Sequence, residues 1–76
     1  MASEERVRLE IAFDGGQVMN VHVVPSAADQ LERSLAAGDD GTLPIDSDDG
    51  RYTLNLRRVV YVKRFTREAR VGFTNA

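Results

Sequence analysis

The stretch from Arg51 to Phe73 constrains the fold of this chain more than any other part of the sequence. It contains the longest run of β-type residues, both tyrosines, two of the three phenylalanines and seven of the ten cationic residues. Apolar and polar residues alternate along much of it, which is the period of a strand with one buried face. The stretch therefore predicts a sheet whose last strands carry most of the aromatic and positive groups.

Two hairpins are predicted from the same alternation elsewhere. Residues 7–13 and 18–24 are separated by Asp14, Gly15 and Gly16, which tolerate the positive φ of a tight turn. Residues 42–46 and the strand beginning near Tyr52 flank a second turn at residues 47–50. Pro44 lacks a backbone donor, so the strand that contains it belongs at a sheet edge.

A short helix is predicted between the two hairpins. Ser26 and Asp29 have the spacing of a capping box, so the helix is expected to start at Ser26. Ala28, Leu31 and Leu35 then form one apolar stripe. Gly38 is placed to adopt the left-handed conformation that closes a helix.

The order strand, strand, helix, strand, strand, strand predicts an α+β fold, namely a small antiparallel sheet with one short helix on one face. Both a β-grasp-like topology and a simple meander fit this order. We expect residues 1–76 to form a single domain and residues 1–5 to be a disordered N-terminal tail. A last short strand is expected at residues 70–73.

The alternation changes phase at Arg57 and Arg58, which indicates a bulge, a bend or a short connector. Beyond this point Val60 and Val62 are expected to face the core. The residues expected on the opposite face are Val59, Tyr61, Lys63 and Phe65. Large apolar groups on both faces of one strand exceed what a single short helix can cover, and such patches mark interaction sites. We expect this opposite face to bind a partner, and a homodimer formed face to face or edge to edge would cover it.

Charge is divided sharply along the chain. Residues 1–50 contain three cations and eleven acids, for a net charge of −8, whereas residues 51–76 contain seven cations and one acid, for a net charge of +6. The two parts can neutralise each other, or the basic part can bind nucleic acid. The candidate nucleic-acid contacts are Arg57, Arg58, Lys63, Arg64 and Arg67.

Catalysis is not expected, because the chain has one histidine, no cysteine and no serine in a nucleophile-elbow context. His22 is therefore expected to have a surface or packing role. The acids at positions 46–49 do not form a calcium loop, which would need glycine where Arg51 stands and glutamate where Arg57 stands. We expect no enzyme activity, no cofactor and no metal site.

The chain has no cysteine and no apolar run of about 20 residues, and both features indicate its cellular location. There is no thiol for a disulfide framework, and no segment has the length and hydropathy of a membrane span. We therefore expect a cytoplasmic location and no association with membranes.

Three short motifs in the second half carry a resemblance. Residues 50–51 (GR), 58–62 (RVVYV) and 69–73 (ARVGF) resemble a family of small uncharacterised proteins of high-GC Gram-positive bacteria. The chain differs from that family in the first turn, at residues 14–16, and in the more basic stretch at residues 63–67. The resemblance implies a cytoplasmic, non-enzymatic domain.

Together these patterns predict a non-catalytic interaction or regulatory module. It is expected to associate with itself and to bind a protein partner through the face that contains Tyr61 and Phe65. The alternative is a nucleic-acid-binding module that uses the basic stretch from Arg57 to Arg67.

Overall fold

A computed structural model describes residues 5–65 as five strands and one helix. The α+β class and the predicted order of elements are confirmed. The predicted last strand and most of the predicted tail lie outside the described residues. The elements are β1 (Val7–Phe13), β2 (Val18–Val23), α1 (Pro25–Ala36), β3 (Thr42–Ser47), β4 (Gly50–Asn55) and β5 (Val59–Arg64), with a short 3₁₀ helix (Leu56–Arg58) between the last two.

The strands are divided between two antiparallel sheets, where the sequence predicted one. The first has the order β2-β1-β5 and the second contains β3 and β4. Because β5 returns beside β1, the order is not that of a simple meander. The sheets meet where the His22 N–H donates to Ser47 Oγ at 3.2 Å and the Asp48 N–H donates to the His22 carbonyl at 3.2 Å. Pro44 has no N–H, so β3 cannot offer a complete ladder along its free edge.

One core joins both sheets and the helix. Leu9 and Ile11 of the central strand β1 pack with Leu31 of the helix and Leu54 of the second sheet. The alternation predicted for β1 and β2 is confirmed, since every second residue faces this core. The buried residues of the shared core are Leu9, Ile11, Val21, Val23, Ala28, Leu31, Leu43, Ile45, Leu54 and Leu56.

The start of the helix differs from the prediction. Pro25 occupies the first turn, the capping position falls at Val24, and no side chain caps the helix. The predicted capping box at Ser26 and Asp29 is therefore wrong. Proline at the first helical position has a preset φ and no N–H to satisfy, so it begins the helix before Ser26.

The end of the helix follows the prediction. Gly38 has a φ of 75°, its N–H donates to the Leu35 carbonyl, and the Asp39 N–H donates to the Ser34 carbonyl. These are the two hydrogen bonds of a Schellman motif, which satisfies carbonyls left unpaired by the helix.

Replacing Gly38 with alanine is expected to lower the free energy of unfolding by about 1–2 kcal/mol, because a Cβ is strained at positive φ. The matched control is Gly41→Ala, since Gly41 does not have positive φ and its added Cβ would meet open space. Urea denaturation followed by circular dichroism measures both changes. Equal losses in the two variants would contradict this interpretation of Gly38.

A bulge in β5 changes which valines face the core. The register pairs Ala12 with Tyr61 and Phe13 with Val59, so Val60 has no partner on β1. Val59 packs against the core, and the Val60 side chain is 65% exposed. The sequence predicted that Val60 faces the core and that Val59 lies on the opposite face, and both predictions are wrong. One extra residue in a strand shifts the faces of the residues before it.

Candidate functional site

The first sheet has one face that points away from the helix and the core, here called the outer face. It carries the side chains that alternate with the core residues of β1, β2 and β5. Phe65, directly after β5, continues the register, since its N–H donates to the Arg8 carbonyl at 3.0 Å. The residues of the outer face are Arg8, Glu10, Ala12, Val18, Asn20, His22, Tyr61, Lys63 and Phe65.

An apolar row crosses one end of the outer face. The strand register places Val18, Ala12 and Tyr61 side by side. Ala12 is buried between its larger neighbours, whereas Val18 is 52% exposed and Tyr61 is 46% exposed. The row forms a continuous apolar strip, and the two side chains that flank Ala12 are exposed to solvent.

A hydrogen bond fixes the polar end of Tyr61. The Tyr61 hydroxyl donates to Glu10 Oε2 at 2.6 Å, a distance in the range of hydrogen bonds from a hydroxyl to a carboxylate. This hydrogen bond, with partial desolvation and the nearby negative charge, raises the pKa of Tyr61 above its ordinary value of 10.0. The phenol is thus held as a donor next to a carboxylate.

The Tyr61 phenol is expected to titrate at a higher pH in the folded chain than in the unfolded chain. A raised folded pKa means that this contribution to stability is complete below about pH 10 and is lost as pH rises through the folded pKa. A Tyr52→Phe background leaves Tyr61 as the chain's one tyrosine. Phenolate absorbance then measures its midpoint, and Glu10→Gln should lower it. A midpoint that does not respond to Glu10→Gln would contradict the assignment.

Two cations surround the ring of Phe65. Arg8 Cζ lies 4.3 Å from the ring centroid and Lys63 Nζ lies 4.6 Å from it. Arg8 also donates to Asn20 Oδ1 from Nε and Nη2, at 3.3 and 3.2 Å. Cation–π contact of this kind contributes about 0.5–1 kcal/mol at an exposed site. The result is a basic and aromatic cluster at the opposite end of the outer face from Val18.

The structure brings three of the four predicted partner-binding residues together. Tyr61, Lys63 and Phe65 share the outer face, and Val59 faces the core because of the bulge. Arg8 and Glu10 join these residues through the pairing of β1 with β5, which are far apart in sequence, and Val18 joins them through the hairpin of β1 and β2. Alternation along β1 indicates which face Arg8 and Glu10 occupy, but not which strand lies beside them.

The four candidate nucleic-acid contacts among the described residues do not form one patch. Arg58 Nη1 lies 3.4 Å from Asp14 Oδ1, near the first turn. Arg64 Nη1 lies 2.8 Å from Asp29 Oδ1 and 3.5 Å from Glu32 Oε1, on the helix side of the sheet. Lys63 alone of the described candidates lies on the outer face. Arg57 is exposed in the 3₁₀ helix, and Arg67 lies outside the described residues.

The sheets meet at a polar cluster that the sequence did not predict. His22 Nδ1 lies 3.8 Å from Asp48 Oδ2, and the Ser47 hydroxyl donates to Asp48 Oδ1 at 3.2 Å. A serine nucleophile needs a hydrogen bond to the imidazole that takes its proton. Here the hydroxyl is turned to the carboxylate and accepts from the His22 backbone N–H. The cluster therefore joins the two sheets through the hydrogen bonds of Ser47 and Asp48 with the His22 backbone.

A groove of about 480 Å³ opens between the two sheets, beside the first turn. Phe13, Met19 and Tyr52 form apolar walls, and the paired Asp14 and Arg58 lie at its rim. The groove is wide open to solvent, and the charges of Asp14 and Arg58 at its rim are already paired with each other.

Within residues 5–65, no group of three histidine, aspartate or glutamate side chains is placed to hold a metal ion. The helix of this part is also too short and too polar to cross a membrane. Comparison with protein-family models, with curated proteins and with solved structures gave no match.

Proposed function

We propose that this chain is a non-catalytic interaction module that associates with itself and binds a protein partner through the outer face around Tyr61 and Phe65. One observation carries the proposal. The outer face exposes Val18 and Tyr61 at one end and holds a half-buried phenylalanine between two cations at the other. Contiguous apolar groups rimmed by polar ones are typical of interaction surfaces, and aromatic and arginine residues are enriched there.

The charges of the outer face indicate the chemistry of the partner. Arg8 and Lys63 lie beside Phe65, while the Glu10 carboxylate already accepts from Tyr61. A partner that inserts an apolar side chain along the Val18–Tyr61 strip and places an acidic group at Phe65 would satisfy both ends. Complementary charges of this kind mainly set orientation and the association rate.

Site-specific photo-crosslinking in cells that naturally express the chain tests the proposal. A photoreactive residue at Val18 should yield an adduct with one protein. The same residue at Gln30, which is exposed on the helix, should not. The purified partner should then bind the chain directly, and Lys63→Glu should weaken that binding. Equal adducts at both positions, or none at Val18, would contradict binding through the outer face.

Nucleic-acid binding is the second candidate, favoured by the cluster of Phe65 with Arg8 and Lys63. An aromatic ring and cations on an open sheet can stack bases and contact phosphates. Against it, Arg58 and Arg64 are already paired with acids and lie away from this cluster. This candidate predicts a mobility shift with single-stranded RNA or DNA that falls steeply with salt and is lost in Lys63→Glu. No shift at low salt would remove it.

The proposed module works without a cofactor and in the cytoplasm. The absence of cysteine means that the chain has no disulfide framework, which small domains of oxidising compartments commonly use. Nothing in the proposed binding through the outer face requires chemistry beyond contact, charge pairing and strand association.

A further inference from the structure

Strand β5 has a free backbone edge. In the order β2-β1-β5, its far side faces no other strand of residues 5–65. The Phe65 N–H donates to the Arg8 carbonyl, so alternate residues of β5 direct their backbone groups toward β1. Tyr61 and Lys63 belong to that set. The backbone groups of Val62 and Arg64 are therefore directed outward.

The opposite edge of the same sheet is partly covered. On β2, the His22 N–H and carbonyl bond to Ser47 and to the Asp48 N–H. The β5 edge has no such cover among the described residues, and Val60 on it is 65% exposed. An open edge with an exposed apolar side chain is a template for pairing with another strand.

We propose that β5 pairs antiparallel with β5 of a second copy, about a two-fold axis that passes between the Val62 residues of the two copies. The two three-stranded sheets then form one sheet of six strands. This inference rests on the self-association in the proposed function and assigns its geometry. The two outer faces then become one continuous surface.

The register follows from charge and from the bulge. Centring the pair on Lys63 or on Arg64 would set like charges opposite each other, which is destabilising. Centring it on Tyr61 would set Lys63 opposite Val59, which the bulge turns to the core side. Centring it on Val62 places Lys63 opposite Tyr61 of the second copy and Arg64 opposite Val60 of the second copy. This register has no like-charge pair from residue 60 to residue 64.

Charge complementarity supports a second copy as the occupant. The Tyr61 hydroxyl is bound to the Glu10 carboxylate, so this end of each outer face is anionic. The two-fold axis brings Lys63 of each copy beside the anionic end of the other copy's outer face. Arg64 keeps its guanidinium on Asp29 and Glu32, so it needs no new acidic partner in the dimer.

The features that usually protect a sheet edge do not block this one. A lysine or a bulge on an edge strand discourages pairing. Lys63 lies over the Phe65 ring on the outer face, so it does not shield the backbone edge. The bulge lies at Val60, at the end of the strand, and leaves residues 61–64 in regular register with β1.

Sedimentation equilibrium and cysteine cross-linking of the full chain test this geometry together. The chain has no cysteine of its own, so Tyr61→Cys and Lys63→Cys chains each carry one thiol. In the proposed dimer these two positions face each other in a non-hydrogen-bonded pair, about 4.5 Å between Cα atoms, which is within disulfide reach. Copies of the same position lie diagonally, about 7–8 Å apart.

The expected mass is that of a dimer. Disulfide formation is expected to be about tenfold faster in an equal mixture of the two cysteine chains than in either chain alone, because only the mixture contains the pair within disulfide reach. Val60→Lys, which adds a charged side chain at the paired edge, should weaken the dimer about tenfold, as expected for a loss of roughly 1.4 kcal/mol. The matched control Val60→Thr should leave the dimer nearly unchanged, because it keeps the β-branched shape.

Two outcomes would overturn the inference, and they are distinguishable. A monomer at every concentration removes both the edge pairing and the self-association of the proposed function. A dimer in which the cysteine mixture reacts no faster than the single chains removes the edge register alone. Binding of the protein partner is read separately, because Val60→Lys leaves the outer-face residues Tyr61, Lys63 and Phe65 in place.

Discussion

A chain carrying Leu31→Ala is expected to lose a large fraction of its free energy of unfolding. Leu31 is completely buried, and it is the largest buried side chain that the helix contributes to the shared core. Truncating a buried leucine to alanine costs about 2–5 kcal/mol. A domain of this size has about 4–11 kcal/mol of stability in total, so the loss is a large fraction of it.

Far-ultraviolet circular dichroism during urea denaturation measures this effect. Gln30→Ala is the matched control, because Gln30 is the neighbouring helical residue and is exposed. Its midpoint should stay within the small range expected for surface substitutions. A midpoint for Leu31→Ala equal to that of the control would show that the helix does not stabilise the sheets.

The second large effect is expected at Leu54→Ala, on the other side of the core. Leu54 is 3% exposed and belongs to the second sheet, yet it packs in the same cluster as Leu9 and Ile11. The expected loss is again about 2–5 kcal/mol. Because the core is shared, the first sheet should be destabilised by the same amount, and unfolding should remain a single transition.

Hydrogen exchange of backbone amides resolves which elements respond to Leu54→Ala. Amides of the central strand β1 should exchange faster by the same factor as those of β4. Thr53→Ala is the control, since Thr53 is the adjacent residue on the exposed side of the same strand. Faster exchange confined to β3 and β4 would show two independent units instead of one core.

The elements were predictable because their signals are local. Strand alternation, the glycines of the first turn and Gly38 after the helix each depend on residues within a few positions of one another. The helix start was misplaced because Ser26 and Pro25 carry competing signals, and the fixed φ of proline outweighed the serine cap. The division into two sheets depends on long-range pairing, which no local pattern contains.

The bulge illustrates a limit of alternation as a guide to burial. Val59 and Val60 are adjacent and chemically identical, so the sequence offers no reason to bury one rather than the other. Pairing with Phe13 and Ala12 of β1 decides it, and the choice leaves Val60 exposed. A single unpaired residue therefore removes Val59 from the predicted partner-binding face.

The candidate site was predictable on one strand and not across strands. Alternation places Tyr61, Lys63 and Phe65 together, whereas the cross-strand contacts of Arg8 and Glu10 depend on a register set over some fifty residues. Two neighbouring cations of the basic stretch lie on opposite faces of the sheet for the same reason. Arg64 faces the helix, where Asp29 and Glu32 neutralise it, although its neighbour Lys63 faces outward.

The most direct test of the interaction surface combines the photoreactive residue at Val18 with the double substitution Lys63→Ala and Phe65→Ala. Neither Lys63 nor Phe65 belongs to the shared core, so the fold should remain. The proposed function predicts that the adduct with the protein partner disappears while the urea midpoint changes little. An adduct that persists at full yield in the folded double variant would contradict binding through the outer face.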